Sequence, residues 1–255
     1  MKLIDTHTHL YLPEFNSDRD EMVERALGCG VEKLLMPNIN ANSVEHMLSA
    51  AKRYPDICYP MIGLHPTSVM EDWLLQINTL EAEASKHKFI AIGEIGIDLY
   101  WNKTFIREQT DAFRRQIEFA LRSGLPVVIH SRESMDEVFS VLTEFAGQGL
   151  KGVFHAFSGD LNNAKKAIGM GFKLGIGGIV TFKNSGLDKI VKEAGPEHIV
   201  LETDSPYLAP SPHRGKRNES SYICIINKKL AEIFGMSEEK VASITFANST
   251  ELFNI

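Results

Sequence analysis

The sequence has few cysteines and no long apolar run. Its 255 residues include three cysteines, Cys29, Cys58 and Cys224, which lie far apart in the chain. A disulfide framework needs more of them, so we expect free thiols and a reducing compartment. The amino terminus lacks the apolar stretch that a signal peptide requires, and the most apolar glycine-rich stretch, residues 169–182, is too short for a membrane span and contains Lys173. These absences predict a cytoplasmic protein that does not enter a membrane.

Positive charge is also scarce. Lys and Arg number 27 against 33 Asp and Glu, which gives a formal net charge of −6 at pH 7. This balance argues against a protein that coats long nucleic acid through bulk positive charge, but it leaves room for a local phosphate site. Hydrophobic residues at 44% and charged residues at 24% are typical of a soluble globular chain, which excludes disorder, collagen and coiled coil.

Short apolar runs alternate with helical patterns along the chain. Eight runs are typical of strands buried on both faces of a parallel sheet: residues 2–7, 32–36, 58–63, 89–93, 126–130, 152–155, 172–176 and 198–202. Most are followed by apolar residues at helical spacing. The pattern predicts an α/β fold, a (β/α)8 TIM barrel in which residues 1–255 form a single domain. A doubly wound open sheet competes, but it usually has a glycine-rich first turn, whereas the first turn here contains His7 and His9.

Residues that bind metals follow most of the predicted strands. They are His7 and His9 after the first, His65 after the third, Glu94 after the fourth, His130 at the end of the fifth, His155 at the end of the sixth and Asp204 after the eighth. All eight carboxyl ends of a barrel open onto one face, so we expect these residues to converge there. An isolated His-x-His pair is more often accidental than functional, but its combination with the other strand-end residues favours a metal site.

The spacing and number of these residues indicate two ions. Residues i and i+2 of a strand point the same way, so His7 and His9 are expected to share an ion, about 6–7 Å apart along the chain. Six candidate ligands exceed the four of one tetrahedral ion: His7, His9, Glu94, His130, His155 and Asp204. Glu94 is the natural bridging carboxylate. The mixture of imidazole and carboxylate leaves the identity of the divalent ions open among Mg²⁺, Mn²⁺ and Zn²⁺.

Other residues are expected to surround these ligands. By strand parity, Asp5 and Glu202 lie one layer below His7 and Asp204, and we expect both to accept hydrogen bonds from ligand histidines. Cations beside a dinuclear centre suit a phosphoryl group, although ordinary loop charges are the alternative explanation. The expected phosphate contacts are His65, Arg132 and Arg214.

Several motifs, in this order, make the chain similar to one family. They are Asp5-Thr6-His7-Thr8-His9, Gly63-Leu64-His65-Pro66, Gly93-Glu94-Ile95-Gly96-Ile97-Asp98, His130-Ser131-Arg132, His155-Ala156-Phe157-Ser158-Gly159 and Glu202-Thr203-Asp204-Ser205-Pro206. From residue 2 to near its end, the chain resembles the TatD family of metal-dependent deoxyribonucleases, within the amidohydrolase-like barrels. The resemblance implies a (β/α)8 barrel, the same six ligands for two divalent ions, and metal-dependent hydrolysis of phosphodiester bonds in DNA, often exonucleolytic.

Two positions depart from the usual pattern of that family. Ala156 stands where a cysteine usually follows the sixth-strand histidine, and Ser220 stands where a proline usually follows Asn-Glu. Neither departure removes a ligand. Loss of the proline reduces loop stiffness, which bears on substrate preference.

The hypothesis that follows makes Asp204, Glu94 and His65 the catalytic residues. Asp204 orients water and accepts its proton, Glu94 sets the distance between the ions, and His65 neutralises phosphate oxygens. The low positive charge implies a footprint of a few nucleotides, so we expect a DNA substrate that is single-stranded or a strand end, and no obligate protein partner. Two alternatives stay open: a metal-dependent ester or amide hydrolase such as an aminoacyl-tRNA deacylase, and a non-catalytic barrel that serves as a scaffold.

Overall fold

A computed structural model describes residues 1–101 and 103–255. Its strands are β1 (Leu3–Asp5), β2 (Val31–Pro37), β3 (Cys58–Met61), β4 (Ile92–Asp98), β5 (Val127–Arg132), β6 (Gly152–Phe154), β7 (Phe172–Ile176) and β8 (Ile199–Leu201). Its α-helices are α1 (Arg19–Gly28), α2 (Val44–Arg53), α3 (Trp73–Ala84), α4 (Ile106–Ser123), α5 (Met135–Glu144), α6 (Leu161–Gly169), α7 (Leu187–Ala194), α8 (Ile223–Phe234) and α9 (Glu238–Phe253). Within these described residues, no helix has both the length and the apolar character needed to cross a membrane.

The strands form a closed parallel ring. One hydrogen-bonded sheet contains β1 to β3, and a second contains β4 to β8 in sequence order. Single parallel bridges connect Ile62 with Ile92 and Thr8 with Ser205, so the two sheets meet at both edges. A helix follows each strand. Closed parallel strands with an outer helical layer define a (β/α)8 TIM barrel, and the predicted fold class is confirmed.

The apolar runs of the sequence are explained by packing on both faces of the strands. One buried cluster draws a residue from most strands, including Ile4, Leu35 and Val128. Alternate residues of the same strands pack instead in a larger cluster with the helices. Phe113 of α4 belongs to that second cluster and is fully buried, as its helical spacing predicts.

Helix α9 covers the amino-terminal end of the barrel. Phe253 at its end packs in the same cluster as Ile4 and Val128. Asn248 Nδ2 donates to the carbonyl oxygens of Ile199, at 2.7 Å, and Pro196, at 2.9 Å, at the start of β8. Since this end is covered, substrate access to the barrel is left to the carboxyl ends of the strands.

The position of β4 differs from the prediction. The sequence places Glu94 after a strand at residues 89–93, but Glu94 lies inside β4, in which every residue is buried. The glycines of this segment do not end the strand. Gly96 has a φ of +141°, and a Cβ there would collide with the backbone of His130 on β5. The glycine therefore permits a close approach of two strands, and His130 likewise lies inside β5.

Candidate metal centre

A cavity of about 610 Å³ opens at the carboxyl ends of the strands. Its lining includes five of the six predicted ligands: His9, Glu94, His130, His155 and Asp204. The sixth, His7, is fully buried, and its Nε2 atom lies 3.0 Å from Glu94 Oε2. The structure therefore brings all six residues together, from five different strands or the turns that follow them.

The first group of donor atoms surrounds His7. Its Nε2 atom lies 3.3 Å from His9 Nε2. Asp204 Oδ1 faces the same atoms, 3.6 Å from His9 Nε2 and 3.9 Å from His7 Nε2. It also lies 3.7 Å from His155 Nε2. The His155 ring stacks on that of His7 with centroids 3.4 Å apart, so these nitrogen and oxygen atoms point at a common space.

The second group lies on the other side of Glu94. Its Oε1 atom is 2.8 Å from His130 Nδ1 and 3.3 Å from His65 Nε2, while Oε2 faces His7. His155 Nε2 is 3.9 Å from Oε1. Glu94 thus presents one carboxylate oxygen to each group of histidines.

The donor set fits divalent metal ions. Ligand atoms held at about 2.0–2.2 Å from one tetrahedral ion are about 3.3–3.6 Å from one another. The separations among His7, His9 and Asp204 lie close to that range, from 3.3 to 3.9 Å. In addition, His7 Nδ1 is buried without a hydrogen-bond partner in the part of the chain that the structure describes. The ring of His7 is held by the contacts of Nε2 and by stacking on His155 and, among the described residues, without the partner on its second nitrogen that a ligand histidine usually has.

The pKa values of the two central carboxyl groups are shifted in opposite directions. Burial raises the pKa of Asp204 to about 7, although the His155 imidazole opposes the change. Burial would also raise the pKa of Glu94, but His65, His155 and His7 outweigh it and hold that pKa well below its usual range. Glu94 is therefore ionised at neutral pH, whereas Asp204 is protonated in part of the molecules, and a nearby divalent cation would favour its ionised form.

The histidines of the first group also differ in protonation. Burial lowers the pKa of His9 to about 4 and that of His7 well below its usual value. Both are neutral at pH 7, which is the form that binds metals. Burial acts in the same direction on His155, but Glu202 and the other nearby carboxylates outweigh it and raise its pKa to about 10.

His65 is set up as a hydrogen-bond donor. The backbone N–H of Thr67 donates to His65 Nδ1 at 3.2 Å, and the Thr67 hydroxyl oxygen lies 2.6 Å from the same atom. Burial lowers the pKa of His65, which favours the neutral ring. A neutral imidazole that accepts at Nδ1 carries its proton on Nε2, as assigned here from the hydrogen-bond network. His65 therefore carries its proton on Nε2, which lies at the cavity wall 3.3 Å from Glu94 Oε1.

Asp98 is a site residue that the sequence analysis missed. Its Oδ2 atom lies 2.8 Å from His130 Nε2, and its Oδ1 atom accepts the backbone N–H groups of Tyr100 and Trp101, each at 3.0 Å. Asp98 is four residues after Glu94 on β4, so strand parity could have indicated a shared face. The carboxylate orients the His130 ring so that Nδ1 points at Glu94.

The two carboxylates expected beneath the ligands have different partners. Glu202 Oε1 lies 3.1 Å from His155 Nδ1, which is an ion-pair contact without hydrogen-bond geometry, and it accepts the Ala156 N–H at 2.6 Å. Asp5 differs from the prediction, because it accepts hydrogen bonds from the hydroxyl and the backbone N–H of Thr203, at 2.6 and 2.9 Å, and from no histidine ring among the residues that the structure describes. Asp5 ends β1 beside β8, so it faces the seam between those strands.

The two predicted phosphate-binding arginines are separated. Arg132 lines the cavity. Arg214 does not: its guanidinium packs on the ring of Phe182, 4.1 Å from the centroid, in a neighbouring pocket that also contains Lys183. The sequence analysis missed this because the path of the loop after β8 depends on long-range contacts, such as the pairing of Arg217 with Asp18 at 2.6 Å.

Comparison with known proteins identifies the family. The family described as TatD related DNase matches residues 4–254. The chain is 35% identical to an uncharacterized metal-dependent hydrolase, YabD, of Bacillus subtilis, over 99% of both chains. The chain therefore belongs to the TatD family, and its Bacillus subtilis relative is described as a metal-dependent hydrolase.

Two further relatives bear on activity and fold. A protein of Pantoea vagans named 3′-5′ ssDNA/RNA exonuclease TatD is 31% identical to this chain, over 99% of this chain and all of the relative. The crystal structure of YjjV, a TatD homologue from Escherichia coli, is 28% identical and superposes with a TM-score of 0.93 over 99% of this chain and 98% of that one. The barrel described above is thus shared with a solved member of the family.

Proposed function

We propose that this protein is a deoxyribonuclease that hydrolyses phosphodiester bonds exonucleolytically at the ends of single-stranded DNA, with two divalent metal ions. The observation that carries the proposal is the position of Glu94, whose two oxygens face separate groups of histidines. The proposed ligands are His7, His9, Glu94, His130, His155 and Asp204. The name of the Pantoea vagans relative supports the choice of a single-stranded substrate and the exonucleolytic mode.

The ligands would hold the ions on either side of Glu94. His7, His9 and Asp204 lie on one side and His130 on the other, with His155 near both carboxylates. Divalent ions bound there would supply a water of lowered pKa and positive charge that stabilises phosphate oxygens.

The remaining chemistry belongs to side chains of the cavity. Asp204 accepts the proton of the attacking water, because its Oδ1 atom faces the space that it shares with the Nε2 atoms of His7, His9 and His155. His65 donates its Nε2 proton in a hydrogen bond to a phosphate oxygen. Arg132, on the cavity wall, contacts a second phosphate oxygen through its guanidinium.

A nuclease assay with matched variants tests the proposal. A 5′-labelled single-stranded oligodeoxynucleotide is incubated with the protein and Mg²⁺, Mn²⁺ or Zn²⁺, and bound metal is measured by elemental analysis. The wild-type protein is expected to shorten the labelled oligonucleotide stepwise. Glu94→Gln keeps the shape of the side chain but removes its charge, so cleavage should fall at least about 100-fold and bound metal should decrease. Glu251→Gln, an exposed change on α9, is the control and should behave as wild type.

The products and substrates also discriminate among the alternatives. Internal cuts in place of stepwise shortening would contradict the exonucleolytic mode. Metal-dependent turnover of an aminoacyl ester without DNA cleavage would favour the ester hydrolase. Absence of both bound metal and activity, after metal is added, would favour a scaffold.

A further inference from the structure

Two exposed aromatic side chains stand beside the metal cavity and have no part in the reaction described above. Tyr100 and Trp101 directly follow β4, with exposed fractions of 50% and 68%. Trp101 lines the cavity together with Arg132. Large aromatic surfaces are seldom left in water next to a binding cavity unless a ligand covers them. These three residues, Tyr100, Trp101 and Arg132, are called the rim patch.

Within the rim patch, Arg132 covers the Tyr100 ring, whereas the Trp101 ring is exposed. The Arg132 guanidinium lies 3.8 Å from the Tyr100 ring centroid and 5.4 Å from that of Trp101. The two rings meet edge to face, with centroids 5.0 Å apart. The Arg132 guanidinium therefore covers one face of the Tyr100 ring. The Trp101 ring is the more exposed of the two, and another planar group could stack on it.

One carboxylate connects the rim patch to the metal centre. Asp98 Oδ1 accepts the N–H groups of Tyr100 and Trp101, while Oδ2 lies 2.8 Å from the ring of His130. The patch and a candidate metal ligand are thus positioned by the same side chain. A group stacked on Trp101 would be adjacent to a phosphate held in the cavity.

We propose that the rim patch binds an unpaired nucleobase of the substrate, stacked on Trp101, with Arg132 contacting the neighbouring phosphate. This inference rests on the proposed nuclease function and adds to it the site that would hold an unpaired base next to the scissile bond. Every base has a π-face, so such stacking tolerates any sequence. The net charge of −6 gives the chain little bulk attraction to DNA, and stacking supplies affinity in its place.

Fluorescence tests the stacking without any reaction. The chain has two tryptophans, Trp73 and Trp101, so Trp73→Phe leaves Trp101 as the reporter. In EDTA, a short thymidine oligonucleotide should quench this emission, whereas an abasic oligomer of equal length and charge should not. Equal quenching by both oligomers, or none by either, would overturn the inference. If the emission changed with protein concentration in the absence of DNA, the rim patch would be a contact between copies of the chain. That result would also overturn the inference.

Kinetics provide the second test. Trp101→Ala should raise KM for single-stranded DNA about 5- to 150-fold and leave kcat nearly unchanged, because one stacked base is lost. Trp101→Phe retains a smaller ring and should restore most of the affinity. An unchanged KM in Trp101→Ala would refute the role of Trp101. Failure of the nuclease proposal is seen separately, as absence of cleavage by wild type, while the quenching in EDTA still decides whether a base binds.

Discussion

Replacing Asp98 by asparagine exchanges a single oxygen atom for an amide nitrogen beside His130. The carboxylate makes three contacts: Oδ1 accepts two backbone N–H groups, and Oδ2 faces His130 Nε2 at 2.8 Å. If the asparagine oxygen keeps the two N–H groups, its NH₂ faces His130 Nε2 and requires that atom to accept. The proton of a neutral ring then moves to Nδ1, the atom that lies 2.8 Å from Glu94 Oε1 and that would bind a metal.

The expected effect is a loss of metal affinity with the fold retained. Changes to the partner of a ligand histidine typically cost 10- to 100-fold in metal affinity, or about 1.4–2.7 kcal/mol. Competition with a chelator, or calorimetric titration with Zn²⁺ or Mn²⁺, measures the affinity. Asp136→Asn, on an exposed position of α5, is the matched control. Wild-type affinity in Asp98→Asn would refute the assignment of His130 Nδ1 as the metal-facing atom.

Three further outcomes are expected. Phe113→Ala, at a fully buried position, should lower the free energy of unfolding by about 3–5 kcal/mol in urea denaturation. Gly96→Ala should lower both the melting temperature and the bound metal measured by elemental analysis, because its Cβ would push against the backbone of His130. Hydrogen bonds from Arg217 hold the pKa of Asp18 at about 2, below its usual 3.8. This pair should therefore stabilise the fold fully above pH ~4, and its contribution should disappear as the pH falls toward about 2, so urea denaturation of Asp18→Asn and wild type should converge on acidification.

The convergence of the candidate ligand side chains could be predicted from the sequence because of a property of the fold. The carboxyl ends of parallel strands meet at one face of a barrel whatever their exact bounds. Glu94 therefore lies among the histidines as expected even though the predicted bounds of β4 were wrong, since the strand begins at Ile92 and continues past Glu94 to Asp98. Side chains that depend only on strand order, such as those of His7 and His155, could be grouped without any knowledge of contacts.

The sequence did not predict the partners of residues whose contacts depend on the path of a loop or on the register of adjacent strands. Arg214 follows a long loop that packs it on Phe182, away from the cavity. Asp5 accepts a hydrogen bond from Thr203 on the neighbouring side of the barrel closure. The spacing of residues in the sequence does not predict which side chains meet there. Asp98 belongs to the motif at residues 93–98, yet its contact with His130 depends on the register of β4 against β5, which pairs Asp98 with Arg132.

The closure of the barrel and the assembly of the candidate metal centre depend on the same contacts. His7 and Asp204 are almost 200 residues apart in the chain, but the Asp204 N–H donates to the carbonyl oxygen of His7 at 2.9 Å. Asp5 joins the same seam by accepting from Thr203, and burial there raises its pKa to about 7. In an open doubly wound sheet the first and last strands are not neighbours, so the same side chains would lie apart. Only a closed ring places donors from both ends of the sequence around Glu94.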